Sequence, residues 1–256
     1  MTNPRIAPGP FRADQLRSGD RYELSQGHPI YCAPTGQGGS GPNGRGFAVL
    51  DSDPAVTSAG VDTGLALSED TLRAPDVTVN HEGEAGVWAT RAPLVVEYAD
   101  RGQKEPELRA KIAELLSAGT RWVWVVRLAG PRRVEVHEAG QPVKTLGPGE
   151  ALAAPGVLQN TIPVEALYDR EAAHEVTLRN LLQRAGYASL DAVRAEGREE
   201  GALRALAESV LTVLDARGLV VSDALRERVM ACRDRATLAR WQRAAVTAAS
   251  ADEVVG

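Results

Sequence analysis

Three residues stand out by type and position. Asp76 heads the short apolar run "PDVTVN", Glu97 closes the run "PLVVEYA", and Lys111 interrupts the apolar stripe of the segment after it. If the two runs pair as antiparallel strands across the connection from His81 to Ala92, the head of the first lies beside the tail of the second. The two carboxylates then converge. Buried together they repel, and each resists losing its water, so a cation between them is the natural resolution. All-oxygen ligands favour Mg²⁺ or Mn²⁺ over zinc. Lys111 falls between Leu108 and Ile112, where an amphipathic helix would carry an apolar side chain. The chain has only three lysines, Lys104, Lys111 and Lys144, against 26 arginines, so a lysine in that stripe is a marked choice. A compact, movable charge suits the orienting of a water or a phosphate oxygen. Singly, each residue has an ordinary reading: a strand-end acid with an ion-pair partner, a turn acid after Pro75, a lysine snorkelling from a helix edge. The three together point to a site.

The elements that must position these residues follow from periodicity and turn chemistry. After a Pro/Gly-punctuated leader, "RYELSQGHPIY" reads as two short strands about a Gln-Gly turn. "CAPTGQGGSGPNGRG" reads as a flexible loop; it has the glycines of a phosphate cradle without the Gly-Lys-Ser/Thr ending or the strand-to-helix context. Strands are expected at "GFAVL", "TGLALS", "PDVTVN", "PLVVEYA", "RWVWVVRL", "RRVEVHEA" and "QPVKTL", with a helix from Lys104 to Ala118 stopped by Gly119. This is a mixed α/β layout. "LGPGEALAAPGVLQNTIPVEALYD" closes it with a Pro/Gly-rich stretch and one short helix.

Beyond Asp169 the strand signals cease. Helices are expected at about 170–185, 190–217, 223–233 and 235–248, with Ser189, Ser222 and Asp234 as N-caps and Gly186 and Gly218 as stops. The domains are therefore an α/β unit over residues 1–168 and a helical region over 169–256. Leu203, Leu206, Val210 and Val213 form a narrow seam on the long helix. Either it packs on the α/β unit, or it docks a partner helix and makes the protein a homo-oligomer through its C-terminal helices.

Composition excludes several classes. A hydrophobic fraction of 43% and a charged fraction of 25% describe an ordinary globular chain. No run approaches the ~20 apolar residues of a spanning helix, and no apolar segment follows a basic start, so no membrane partner and a cytoplasmic location are expected. Cys32 and Cys232 stand alone, without ligand spacing, and read as reduced and structural. His28, His81, His137 and His174 are scattered, which argues against a zinc or histidine-base enzyme. Net charge is −5, with 16 basic against 20 acidic residues through Tyr168 and 13 against 14 beyond. A strong, general DNA binder would show more basic character.

"APDVTV", then "APLVVEYAD", then a lysine within "LRAKIAELLSAGTRWVWVV", resembles the PD-(D/E)XK nuclease superfamily, and within it the Uma-type bacterial restriction endonuclease family. The likeness runs from "RYELSQG" to "GVLQNTIPVEALYD" and leaves out the helical tail. It implies a restriction-endonuclease-like core in which Asp76, Glu97 and the Tyr98 carbonyl bind Mg²⁺ (or Mn²⁺), polarising a scissile phosphate and activating water for phosphodiester hydrolysis. Asp76, Glu97 and Lys111 would be the catalytic set, with Glu23 a further acid near the metal. The sequence departs from the superfamily where a lysine is expected two residues after the glutamate; Ala99 stands there, and Lys111 on the next helix takes its place. It also departs where the branch continues into a helix after its first strands. The glycines of "GQGGSGPNGRG" oppose a helix, which implies a missing piece of scaffold or of DNA-facing surface.

Two functions follow. One is a Mg²⁺-dependent endonuclease acting on DNA, with weak general affinity for it. The other is a catalytically weak or inert relative that serves as an interaction or assembly protein through its helical tail.

Overall fold

"YELS" and "HPIY" form β1 (Tyr22–Ser25) and β2 (His28–Tyr31), paired antiparallel about Gln26 and Gly27. Both turn residues have positive φ, +50° and +76°, the backbone a tight two-residue hairpin needs. The chain continues through α1 (Gln37–Asp51), β3 (Ala59–Val61), β4 (Leu65–Ser68), β5 (Thr71–Arg73), β6 (Val77–Val79) and β7 (Leu94–Ala99). Then come α2 (Glu105–Ser117), β8 (Trp122–Arg127), β9 (Arg133–Glu138), β10 (Lys144–Leu146), β11 (Ala151–Leu152), β12 (Ile162–Pro163) and α3 (Arg170–Arg184). A further set of helices, α4 (Leu190–Ala216), α5 (Asp223–Ala231), α6 (Arg235–Ala245) and α7 (Ala251–Val255), ends the chain. This computed structural model describes residues 9–83, 88–102 and 104–256; the first eight residues of the leader and part of the His81–Ala92 connection lie outside them.

The main sheet runs β10-β9-β8-β7-β6-β3, with β7 and β8 parallel and the other pairs antiparallel. The parallel step is the one bridged by α2, since parallel neighbours need a crossover. A smaller, antiparallel sheet runs β2-β1-β5-β4. Side chains alternate along β7 and β8. Leu94, Val96, Tyr98, Trp122, Trp124 and Val126 face the core shared with α1 and α3, while Val95, Ala99, Val123 and Val125 pack with Leu108, Ile112 and Leu115 of α2. Helices thus cover both faces, which is why β7 is buried along its whole length. The mixed α/β expectation holds.

Two expectations fail at one place. "GQGGSGPNGRG" is not a loop and "GFAVL" is not a strand; together they make α1, with five glycines and Pro42 inside it. Intrinsic propensity opposes such a helix, so packing holds it. Val49 and Leu50 are fully buried against the sheet. Gly46 explains part of the composition: a Cβ there would overlap Tyr98 Oη, the hydroxyl that donates to the Leu167 carbonyl at 3.0 Å. Gly46→Ala should therefore destabilise the protein by about 1–3 kcal/mol. The penalty should shrink in a Tyr98→Phe background, which removes the overlapping atom; equal penalties in both backgrounds, by urea denaturation, would refute the contact.

The chain divides into residues 1–186 and residues 187–256. This differs from the boundary at Tyr168 by one element. α3 belongs with the α/β unit because Ala173 and Val176 enter its core and Asn180 donates to the Val49 carbonyl and to Ser52 Oγ of α1's end. The second unit is helical throughout, and Ser189, Ser222 and Asp234 cap its helices with their side chains as expected. The narrow seam is filled from within. Leu203 and Val210 are buried with Leu225, Val229, Leu238 and Trp241, and Leu206 and Val213 pack against the same cluster. α5, α6 and α7 occupy the face that was expected to meet the α/β unit or a partner helix, so this seam gives no support to a homo-oligomer.

Candidate active site

The expected strand pairing is present: β6 and β7 are antiparallel with Val77 opposite Val96. Asp76 sits just before β6, where the ladder stops. The Tyr98 amide therefore finds no further strand carbonyl and donates instead to Asp76 Oδ2, at 2.6 Å. Alternation turns Glu97 to the α2 side of the sheet, the side of Val95 and Ala99. There it meets Lys111. The ammonium lies 2.7 Å from Glu97 Oε1, 2.9 Å from Glu23 Oε1 and donates to the Ala74 carbonyl at 2.8 Å. Three acceptors surround a group with three donors. Lys111 points inward with its side chain 12% exposed, so it is not a snorkelling lysine. Ala99 fills part of the apolar cluster instead.

Glu23 comes from β1, in the other sheet. Besides Lys111 it accepts from Arg73 Nη1 at 3.0 Å and from the Ala74 amide at 3.1 Å. Arg73 reaches on with Nε to Glu114 Oε2 of α2, at 2.5 Å, and Ser25 Oγ donates to the other oxygen of Glu114. Arg73 and Glu114 were not singled out from the sequence. Glu114 could have been, since it lies three residues after Lys111 on the same helical face; Arg73 carries no comparable signal. A third residue that sequence reading missed is Asn43 of α1, whose Nδ2 lies 3.5 Å from Asp76 Oδ1.

Burial sets the electrostatics. It pushes the Glu97 carboxyl up to about 8, with Asp76 and Glu23 reinforcing the rise and Lys111 opposing it. Burial also raises Asp76, against the pull of Lys111 and of the Tyr98 amide. Glu23 goes the other way: desolvation would raise it, but Lys111 and Arg73 together hold it below the usual carboxylate range. For Lys111, desolvation works against the charge, and the Glu97, Glu23 and Asp76 carboxylates outweigh it, so its pKa rises.

These groups open on a cleft of about 580 Å³, also lined by Tyr31, Thr35, Gly36, Asp100, Arg101 and Lys104. Among the described residues no three Asp, Glu, His or Cys side chains converge as a ready ligand cluster. The donors that remain nonetheless suit a hard divalent cation. Glu97 and Asp76 bring carboxylates to the cleft, Asp76 Oδ1 has only the long amide contact, and the Tyr98 residue lines the same cleft.

The structure thus has a mixed sheet with helices on both faces, and Asp76, Glu97 and Lys111 gathered at one strand end. A solved structure shares the fold, described as a "putative nuclease belonging to DUF820" from Anabaena variabilis ATCC 29413. It aligns with TM-score 0.54 and 16% identity over 64% of this chain and 99% of that one. The Uma2 family model, "Putative restriction endonuclease", matches residues 11–165, and the chain belongs to that family. The match ends before α3 and the helical unit. No curated protein matches the chain. No helix among the described residues is long and apolar enough to cross a membrane.

Proposed function

We propose that the protein is a metal-dependent endonuclease that hydrolyses DNA phosphodiester bonds, with Asp76, Glu97 and the Tyr98 carbonyl holding Mg²⁺ or Mn²⁺ and Lys111 acting beside them. The observation that carries this reading is the convergence of Glu97, Glu23 and Lys111, next to Asp76, from three separate elements on one cleft. A buried ion cluster of this kind is a poor device for stability, since an apolar packing of the same volume does as well or better. Its retention is better explained by chemistry. When bound, the cation would polarise the scissile phosphate and lower the pKa of a water. Lys111 places its ammonium beside Glu97, where it steadies the attacking water and the charge that builds on the phosphate oxygens. Attack by the water oxygen forms the new P–O bond as a proton of that water passes to solvent in the open cleft, and the bond to the leaving sugar oxygen breaks as that oxygen takes a proton from solvent water. Glu23, pinned by Arg73, keeps Lys111 from turning away.

The cleft carries at least as many acids as bases, so affinity for DNA is weak, and lowering it further with salt should be easy. Supercoiled plasmid incubated with the protein should be nicked in Mg²⁺ or Mn²⁺ and left intact in EDTA. Asp76→Ala, Glu97→Ala and Lys111→Ala should each remove the nicking; the two acid variants should keep the metal-free fold, and Lys111→Ala is assayed below its lowered melting temperature. If the wild type cleaves neither duplex, single-stranded DNA nor RNA, and metal leaves its melting temperature unchanged, this reading is wrong.

A further inference from the structure

We propose that Asn43 is an additional metal-site residue, its side-chain amide oxygen joining Asp76 on the same cation. The inference rests on the metal-dependent reading above and adds to it a residue from α1. Asn43 is 9% exposed, and a buried amide is costly unless its groups are paired. Its pairing is poor. Nδ2 stands 3.5 Å from Asp76 Oδ1, beyond the usual ~2.7–3.2 Å of an N–H···O bond, and Oδ1 has no partner.

A buried asparagine kept for structure looks different, and the same unit contains one. Asn180, fully buried, accepts from Asn160 Nδ2 and Arg179 and donates to the Val49 carbonyl and to Ser52 Oγ. Asn43 has none of that support. It is also a weak helix former placed on a helix already weakened by glycine, at the point where that helix meets Asp76. An apolar residue of similar size there would avoid the unpaired amide.

The spacing fits a shared ligand sphere. Two neighbouring oxygens around an octahedral cation bound at ~2.1 Å lie about 3 Å apart. A half-turn of the Asn43 amide brings its oxygen to the place of Nδ2, 3.5 Å from Asp76 Oδ1, and a small closing movement completes the pair. A neutral oxygen suits the position, because it adds a ligand without adding a charge beside Asp76, Glu97 and Glu23.

Calorimetric titration of the full-length protein with MnCl₂ at pH 8 tests the proposal. Asn43→Leu, which removes the oxygen, should bind Mn²⁺ about 10–100-fold more weakly, the range typical of lost metal-site support, without losing metal-free melting temperature. Asn43→Asp keeps an oxygen but loses the amide donor, and should bind as tightly as the wild type or more so. If Asn43→Asp weakens binding tenfold or more, the amide is a hydrogen-bond donor to Asp76 and the ligand role is refuted. This comparison decides the matter even where Asn43→Leu fails to fold. Wild-type affinity in Asn43→Leu overturns the proposal alone. A wild type that takes up no Mn²⁺ overturns the metal-dependent reading along with it.

Discussion

Lys111→Met lowers the stability of the metal-free protein by roughly 3–5 kcal/mol, the range for removing one partner of a buried ion cluster. The ammonium is the only cation in contact with Glu97 among the described residues and one of two on Glu23. Without it, Glu97 is buried beside Asp76 with no cation in contact, and Glu23 keeps only Arg73. The pH dependence follows from the sign of the Glu97 shift. Its folded pKa, about 8, lies above the ordinary 4.5, so the folded state holds a proton that the unfolded chain has lost between those values. The stability this group contributes is full below 4.5 and declines as pH rises through 8. Loss of Lys111 raises that folded pKa further, so the decline continues to higher pH. The variant should come closest to the wild type near pH 5 and fall furthest behind near pH 9, by about 6–20 °C in melting temperature for a unit of this size. Added Mg²⁺ should return part of the loss, because a second cation then stands near the same carboxylates. A deficit equal at pH 5 and pH 9 would mean that Lys111 serves packing rather than charge.

Saturating Mg²⁺ or Mn²⁺ should raise the wild-type melting temperature. A ligand that binds only the native state at about a hundred times its Kd adds about 2.7 kcal/mol, or about 5–10 °C here. Asp76→Ala and Glu97→Ala should abolish the rise. Proton linkage gives a sharper signature. Glu97 must lose its proton to accept a cation, and its pKa is pushed up to about 8. Metal affinity should therefore weaken by about tenfold per unit as pH falls below 8. Uptake near neutral pH should release close to one proton, read by calorimetry in buffers of different ionisation enthalpy. An affinity that stays constant from pH 6 to 9 would remove Glu97 from the metal site.

Local pattern in the sequence was enough to determine the pairing of "PDVTVN" with "PLVVEYA", the helix that carries Lys111, and the caps of the helical unit. Each rests on interactions within a few residues or across one connection: strand alternation, the i+3/i+4 stripe, a serine or aspartate bonding the next turn. Asp76, Glu97 and Lys111 stand out in the sequence for that reason, as polar residues in or at the edge of readable elements. What only the tertiary structure decided depends on distant segments. α1 was unreadable because its glycines oppose a helix locally, and the packing of Val49 and Leu50, with Gly46 close against Tyr98, outweighs that preference. The place of α3 follows from Asn180 reaching α1, more than 120 residues away. The long helix's seam looked open because α5, α6 and α7 cover it from further along the chain. Arg73, Glu114 and Asn43 acquire meaning only when β1, β5, α1 and α2 fold onto one cleft, since a charge or an amide has no visible partner until the element that supplies it has been placed.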